Sequence, residues 1–161
     1  MYSLPQLFEE DVKEFEEALS DLVSKSEASA ALILDIGGFL VAQYGKAEGF
    51  DYTTIGALAS ASFAATQAMA GLVSETNFSS IYQQGENFSL VLNSIDGQCL
   101  LAVIFPAQIS VGVVKYYAVN TIARIVDQLQ RARDRSPDAG VDLASLNMAD
   151  PSEMFRRKEA S

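Results

Sequence analysis

At 161 residues and 49% apolar side chains, the chain can fill one hydrophobic core and carry a tail besides. A net charge of −10 argues against nucleic acid and anionic membrane surfaces, which need clustered Lys and Arg, and suits a basic patch on a protein partner. Histidine is absent and Cys99 is the only cysteine, which excludes Ser-His-Asp and Cys-His catalysis, ordinary zinc sites and an intrachain disulfide.

The N-terminus, Met1-Tyr2-Ser3-Leu4-Pro5, leads into an acidic segment with no basic and apolar leader pattern, so no secretory signal is expected. From Leu7 to Ser24 the residues Phe8, Val12, Phe15, Leu19 and Leu22 alternate spacings of four and three, which predicts an amphipathic helix. Its remaining positions hold Glu9, Glu10, Asp11, Glu14, Glu16, Glu17 and Asp21, read as a solvated acidic face. Ala30–Asp35 and Phe39–Ala42 are short apolar runs around Ile36-Gly37-Gly38 and predict a hairpin. That glycine pair is turn chemistry, and no phosphate-binding loop occurs elsewhere.

Asp51 or Thr53 can cap a second helix running to about Ser74. Three strands follow at Phe78–Gln84, Phe88–Asn93 and Gln98–Phe105, with turns at Gly85-Glu86-Asn87 and Asp96-Gly97. The last is apolar on both faces and is expected at the centre of the sheet, with Cys99 in the core. After Pro106, Ser110 can cap a third helix whose buried stripe is Val111, Val114, Ala118, Ile122, Ile125 and Leu129. The order α-β-β-α-β-β-β-α, dominated by hairpins, predicts an α+β domain over residues 1–134 with a mostly antiparallel five-stranded sheet. Residues 135–161, rich in Ser, Pro, Asp and Gly at their start, read as a flexible tail with a short helical piece at Ser152–Lys158.

No Lys, Arg, Asp or Glu occurs between Asp51 and Glu75. Length alone would let this helix cross a bilayer, but it is mostly Ala, Ser, Thr and Gly and lacks anchoring residues at its ends. Ile55, Leu58, Ser62, Ala65, Met69 and Leu72 form one stripe, expected to pack on the sheet. Ala57, Ala61, Ala64, Ala68 and Gly71 form an opposite, small stripe suited to close helix approach. A small domain cannot easily enclose such a helix on all sides, so self-pairing through an interface on the order of 1,200–2,000 Å² is expected.

The element order, the Asp35-Ile36-Gly37-Gly38 hairpin, the block Ala64-Ala65-Thr66-Gln67-Ala68 before Gly71-Leu72, and Gln84-Gly85-Glu86 before a hydrophobic hairpin resemble the roadblock/dynein-light-chain domain over roughly Leu7 to Leu129. The resemblance implies a roadblock-like (profilin-like) fold and a homodimer joined through the second helices and the strand beginning near Phe78, with Phe63, Gln67, Phe78 and Ile81 at that interface. It further implies a cytoplasmic, noncatalytic regulator of a small Ras-like GTPase, as activator or adaptor in bacterial cell polarity or motility. The GTPase would dock on Ala57, Ala61, Ala64 and Ala68. Such proteins accelerate GTP hydrolysis by repositioning the GTPase's own catalytic residues, with no arginine finger, no cofactor and no catalytic residue of their own. In the tail, Phe155, Arg156 and Arg157 are candidate contacts by position. Two other readings are a dimeric scaffold without effect on a GTPase cycle and a small-molecule sensor, for which Ser62, Thr66 and Tyr116 would be the polar lining.

Overall fold

The computed structural model describes residues 3–46 and 48–135. Its elements are α1 (Glu9–Ser26), β1 (Ala30–Asp35), β2 (Leu40–Gly45), α2 (Tyr52–Ala70, continued by a 3-10 turn at Gly71–Val73), β3 (Ser80–Gln83), β4 (Phe88–Ile95), β5 (Cys99–Pro106) and α3 (Val111–Arg135). The five strands form one antiparallel sheet in the order β2-β1-β5-β4-β3. The expected element order and fold class are those observed, and the strand with no polar face is the central one.

Alternation along the central strands divides the core into two layers. Ala31 and Ile33 of β1 and Leu101, Val103 and Phe105 of β5 face α1 and α3, where Phe15, Leu19, Val114, Ala118 and Ile125 are buried against them. Leu32, Leu34, Leu92, Leu100 and Ala102 face the other way and meet Ala59 and Phe63 of α2. One face of the sheet therefore carries two helices, and the other carries α2 alone.

The charged face of α1 departs from the solvated reading. Asp11 is fully buried, and its carboxylate accepts hydrogen bonds from the Phe8 N–H at the helix start (2.7 Å), Gln128 Nε2 (2.7 Å) and Arg135 Nη2 (2.6 Å). Arg124 bridges Glu14 at 2.9 Å and Asp21 at 2.6 Å. Arg135 also bridges Glu10, so four of the seven acids fasten α3 to α1, because Arg124 and Arg135 fall on the side of α3 that meets α1.

The turn Ile36-Gly37-Gly38 forms as expected, and α2 rests on it. Gly38 has φ +91°, and a Cβ there would stand 3.1 Å from the Ala57 Cα. Ser60 Oγ donates to the Ile36 carbonyl at 2.6 Å across the same contact. Gly38→Ala should therefore cost about 1–3 kcal/mol, from left-handed backbone strain plus crowding against α2. Urea unfolding of the variant measures it, as a lower midpoint with an unchanged slope.

Candidate functional site

The uncharged helix α2 begins at Asp51, whose carboxylate accepts from the Thr54 N–H (3.1 Å) and Thr54 Oγ1 (2.6 Å), so Asp51 is the cap. These hydrogen bonds, that from the Thr54 hydroxyl first, lower the Asp51 pKa. The helix ends in the 3-10 turn, with Ser74 in the left-handed region at φ +62°.

Its inner stripe is not the one expected from the large side chains. Gly56, Ala59, Ser60, Phe63 and Ala70 are buried, while Leu58 is 66% exposed, Met69 53% and Leu72 84%. The reason is volume. The sheet face already presents Leu32, Leu34, Leu92 and Leu100, so the helix above it fits one large side chain, Phe63, and otherwise supplies small groups. A Cβ on Gly56 would lie 2.7 Å from Leu34 Cδ2, which shows how near the backbone comes.

Two adjoining apolar stripes are left outside. One is Ala57, Ala61, Ala64 and Ala68, all exposed. The other is Leu58, Ala65, Met69 and Leu72, which was expected to be buried. Tyr52–Val73 is long and apolar enough to cross a membrane, yet its inner stripe is docked on the sheet.

The four residues implied at a self-pairing interface lie in different surroundings. Phe63 is 9% exposed and belongs to the core beneath α2. Gln67 donates from Nε2 to the Phe78 carbonyl (2.6 Å) and accepts the Phe78 N–H on Oε1 (2.9 Å). This pair of hydrogen bonds engages the Phe78 backbone with α2 and explains why β3 starts at Ser80 instead of Phe78. Ile81 packs partly buried on the α2 side of the edge strand. Sequence reasoning missed Leu58, Met69 and Leu72 as surface residues; their four-and-three spacing was visible, but not the side it faced.

Beside α2 runs a groove of about 740 Å³, lined by Ser60, Phe63, Gln67, Asn77, Ser94 and Leu100 among others. Ser62, Thr66 and Tyr116 do not line it; Thr66 Oγ1 donates to the Ser62 carbonyl at 3.0 Å, and Tyr116 sits on α3 across the sheet. Cys99, at the end of the groove, is 1% exposed, and burial pushes its thiol pKa up to about 12, so it is a packing group. The tail candidates Phe155, Arg156 and Arg157, and the expected short helix at 152–158, lie outside the described residues.

No curated protein sequence matches the chain. Among solved structures it is similar to MglB of Myxococcus xanthus, at 21% identity and a TM-score of 0.73, covering 79% of this chain and 96% of that one. It is similar to the gliding protein MglB of Thermus thermophilus at 23% identity and a TM-score of 0.74, covering 81% and 99%. Profilin IA of Acanthamoeba castellanii shares the fold more distantly, at 13% identity and a TM-score of 0.52, covering 71% and 98%. Residues 14–105, more than half of the sequence, match the Roadblock/LC7 domain, and the chain belongs to that family.

Proposed function

We propose that this chain is a homodimeric, noncatalytic regulator of a small Ras-like GTPase of the MglA type. It would act in the cytoplasm as a GTPase-activating protein or adaptor, in bacterial cell polarity or motility. The observation that carries the reading is the outer face of α2. A long helix with no charged residue, docked by a small inner stripe, leaves Leu58, Met69 and Leu72 in water beside four alanines. Contiguous exposed apolar surface of this kind marks a protein contact.

In this proposal the large stripe supplies apolar area for self-pairing, and Ala57, Ala61, Ala64 and Ala68 let the GTPase approach the paired helices closely. The likeness to MglB supports it, and so does the family. Nothing on the described surface is arranged as a nucleophile with a base, so the chemistry would belong to the GTPase. An arginine from the tail, Arg156 or Arg157, would be a poor finger, because catalysis needs a preorganised cation.

Single-turnover GTP hydrolysis by the cognate GTPase tests the reading. The wild-type chain should accelerate hydrolysis or bind the GTPase, and Ala64→Arg should reduce either effect at least tenfold, by placing a bulky charge on an otherwise apolar face. Arg156→Ala/Arg157→Ala should retain most of it. A wild-type chain that neither binds the GTPase nor alters its rate would leave the scaffold reading in its place.

A further inference from the structure

The groove beside α2 lies where the chain leaves its last helix. Ser60, Phe63, Ala64 and Gln67 of α2 form one wall, and the β4–β5 turn, with Asp96 and Gly97, forms one end. Phe78 and Leu100 add apolar surface, while Asn77, Ser79 and Ser94 add polar groups. Among the described residues, Asp96 alone brings a charge to the lining. Asp35, opposite Cys99 in the β1–β5 register, places a second carboxylate near that end. At the same turn, Arg133 Nη2 donates to Gln98 Oε1, and Gln98 Nε2 donates to Asp96 Oδ2 at 3.0 Å. The last turn of α3 is therefore tied to the turn that closes the groove.

We propose that Met154-Phe155-Arg156-Arg157-Lys158 of the same chain seats in this groove, with the apolar pair toward Phe63, Phe78 and Leu100 and the three cations at the Asp96 end. Charge selects the segment. Between Arg135 and Met154 the sequence holds Asp138, Asp142, Asp150 and Glu153 and no Lys or Arg. Arg156, Arg157 and Lys158 are the only three consecutive cations in a chain of net charge −10, and they face a rim that carries carboxylates. Length permits the contact. About twenty residues separate the end of α3 from Met154 and span at most about 70 Å when extended. Passing from the layer of α3 over the sheet to the layer of α2 takes on the order of 20 Å. A tether of this reach holds the segment at about millimolar effective concentration, so a weak contact is enough to fill the groove. Ala64 borders both the groove and the outer alanine stripe. A seated tail therefore narrows access to that stripe; this consequence rests on the GTPase docking proposed above, whereas the seating does not.

Cross-linking of the full chain with a short bis-maleimide reads the seating, because Cys99 is buried with a thiol pKa of about 12 and does not compete. Ser79→Cys/Glu159→Cys should form an internal bridge, identified by mass spectrometry of the linked peptides. The bridge should form about tenfold faster than in Glu17→Cys/Glu159→Cys, whose first cysteine is exposed on α1 away from the groove. Adding Phe155→Ala or Asp96→Asn should remove most of that advantage, with the circular dichroism spectrum unchanged. Equal rates in the two double variants overturn the inference. So does bridging between mixed Ser79→Cys and Glu159→Cys chains that outruns bridging within the double variant, since the groove then takes the tail of a second copy. The bridged chain should bind the GTPase about tenfold more weakly than the unbridged one. A bridge that forms without this loss upholds the seating and overturns only its link to the GTPase face.

Discussion

Phe63→Ala should lower the unfolding free energy by about 3 kcal/mol and loosen α2 from the sheet. Phe63 is the one bulky side chain among the buried residues of α2; the others are Gly56, Ala59, Ser60 and Ala70. It sits among Leu32, Leu34, Leu92, Leu100 and Ala102, so truncation removes most of the apolar area that fixes the second half of the helix. Buried Phe→Ala changes cost about 3–5 kcal/mol, and the lower end applies because the adjoining groove gives the site an open side. With a urea slope of about 1.5–2.5 kcal/mol per molar, the midpoint should fall by roughly 1–2 M. Amide exchange should quicken along α2 more than along β5, since local opening follows loss of local packing. The four alanines proposed to meet a GTPase ride on this helix, so any partner binding should fall too. A variant that loses only self-association, with its unfolding midpoint unchanged, would place Phe63 at the subunit contact instead of the core.

The sheet was legible because its chemistry is redundant. β5 is apolar at consecutive positions, which only a strand covered on both faces tolerates, and Gly37-Gly38 and Asp96-Gly97 mark turns whose positive φ at Gly38, Asp96 and Gly97 fits those residue types. The orientation of α2 was not legible. In an ordinary helix, polar residues mark the wet side; here alanine and serine occur all around, so size was the only cue. Size pointed the wrong way, since the leucines of β1, β4 and β5 already fill the layer between helix and sheet. The ties of Asp11, Glu14 and Asp21 to α3 were hidden for a different reason. Each acid and its partner are about a hundred residues apart, and nothing in α1 alone separates a carboxylate that meets Arg124 or Arg135 from one that meets water. The family resemblance rested on element order along the chain, and that is what the fold reproduces.

Asp11→Ala should cost about 2–3 kcal/mol at neutral pH and remove part of the acid sensitivity of the fold. Removing one partner of a buried ion pair typically costs about 3–5 kcal/mol; Arg135 is a third exposed and can rehydrate, which trims the loss. The variant also strips the acceptor from the Phe8 N–H at the start of α1 and from Gln128. Burial raises the Asp11 pKa, but the hydrogen bonds from Phe8, Arg135 and Gln128 outweigh it, so the folded-state value lies below the usual carboxylate range. The sign follows from that lowering. Stability from Asp11 is fully present above its unfolded pKa of about 3.9 and is lost as the pH falls through the lower folded value. Urea midpoints of the wild type and the variant should therefore differ by a constant amount from pH 7 to about 5, and the gap should narrow below about 4. Asp11→Asn, which keeps the shape and one acceptor oxygen, should recover part of the neutral-pH stability and none of the pH dependence. A gap that stayed constant to pH 2 would mean that Asp11 acts by shape and hydrogen bonding alone, with its charge contributing nothing to the joint between α1 and α3.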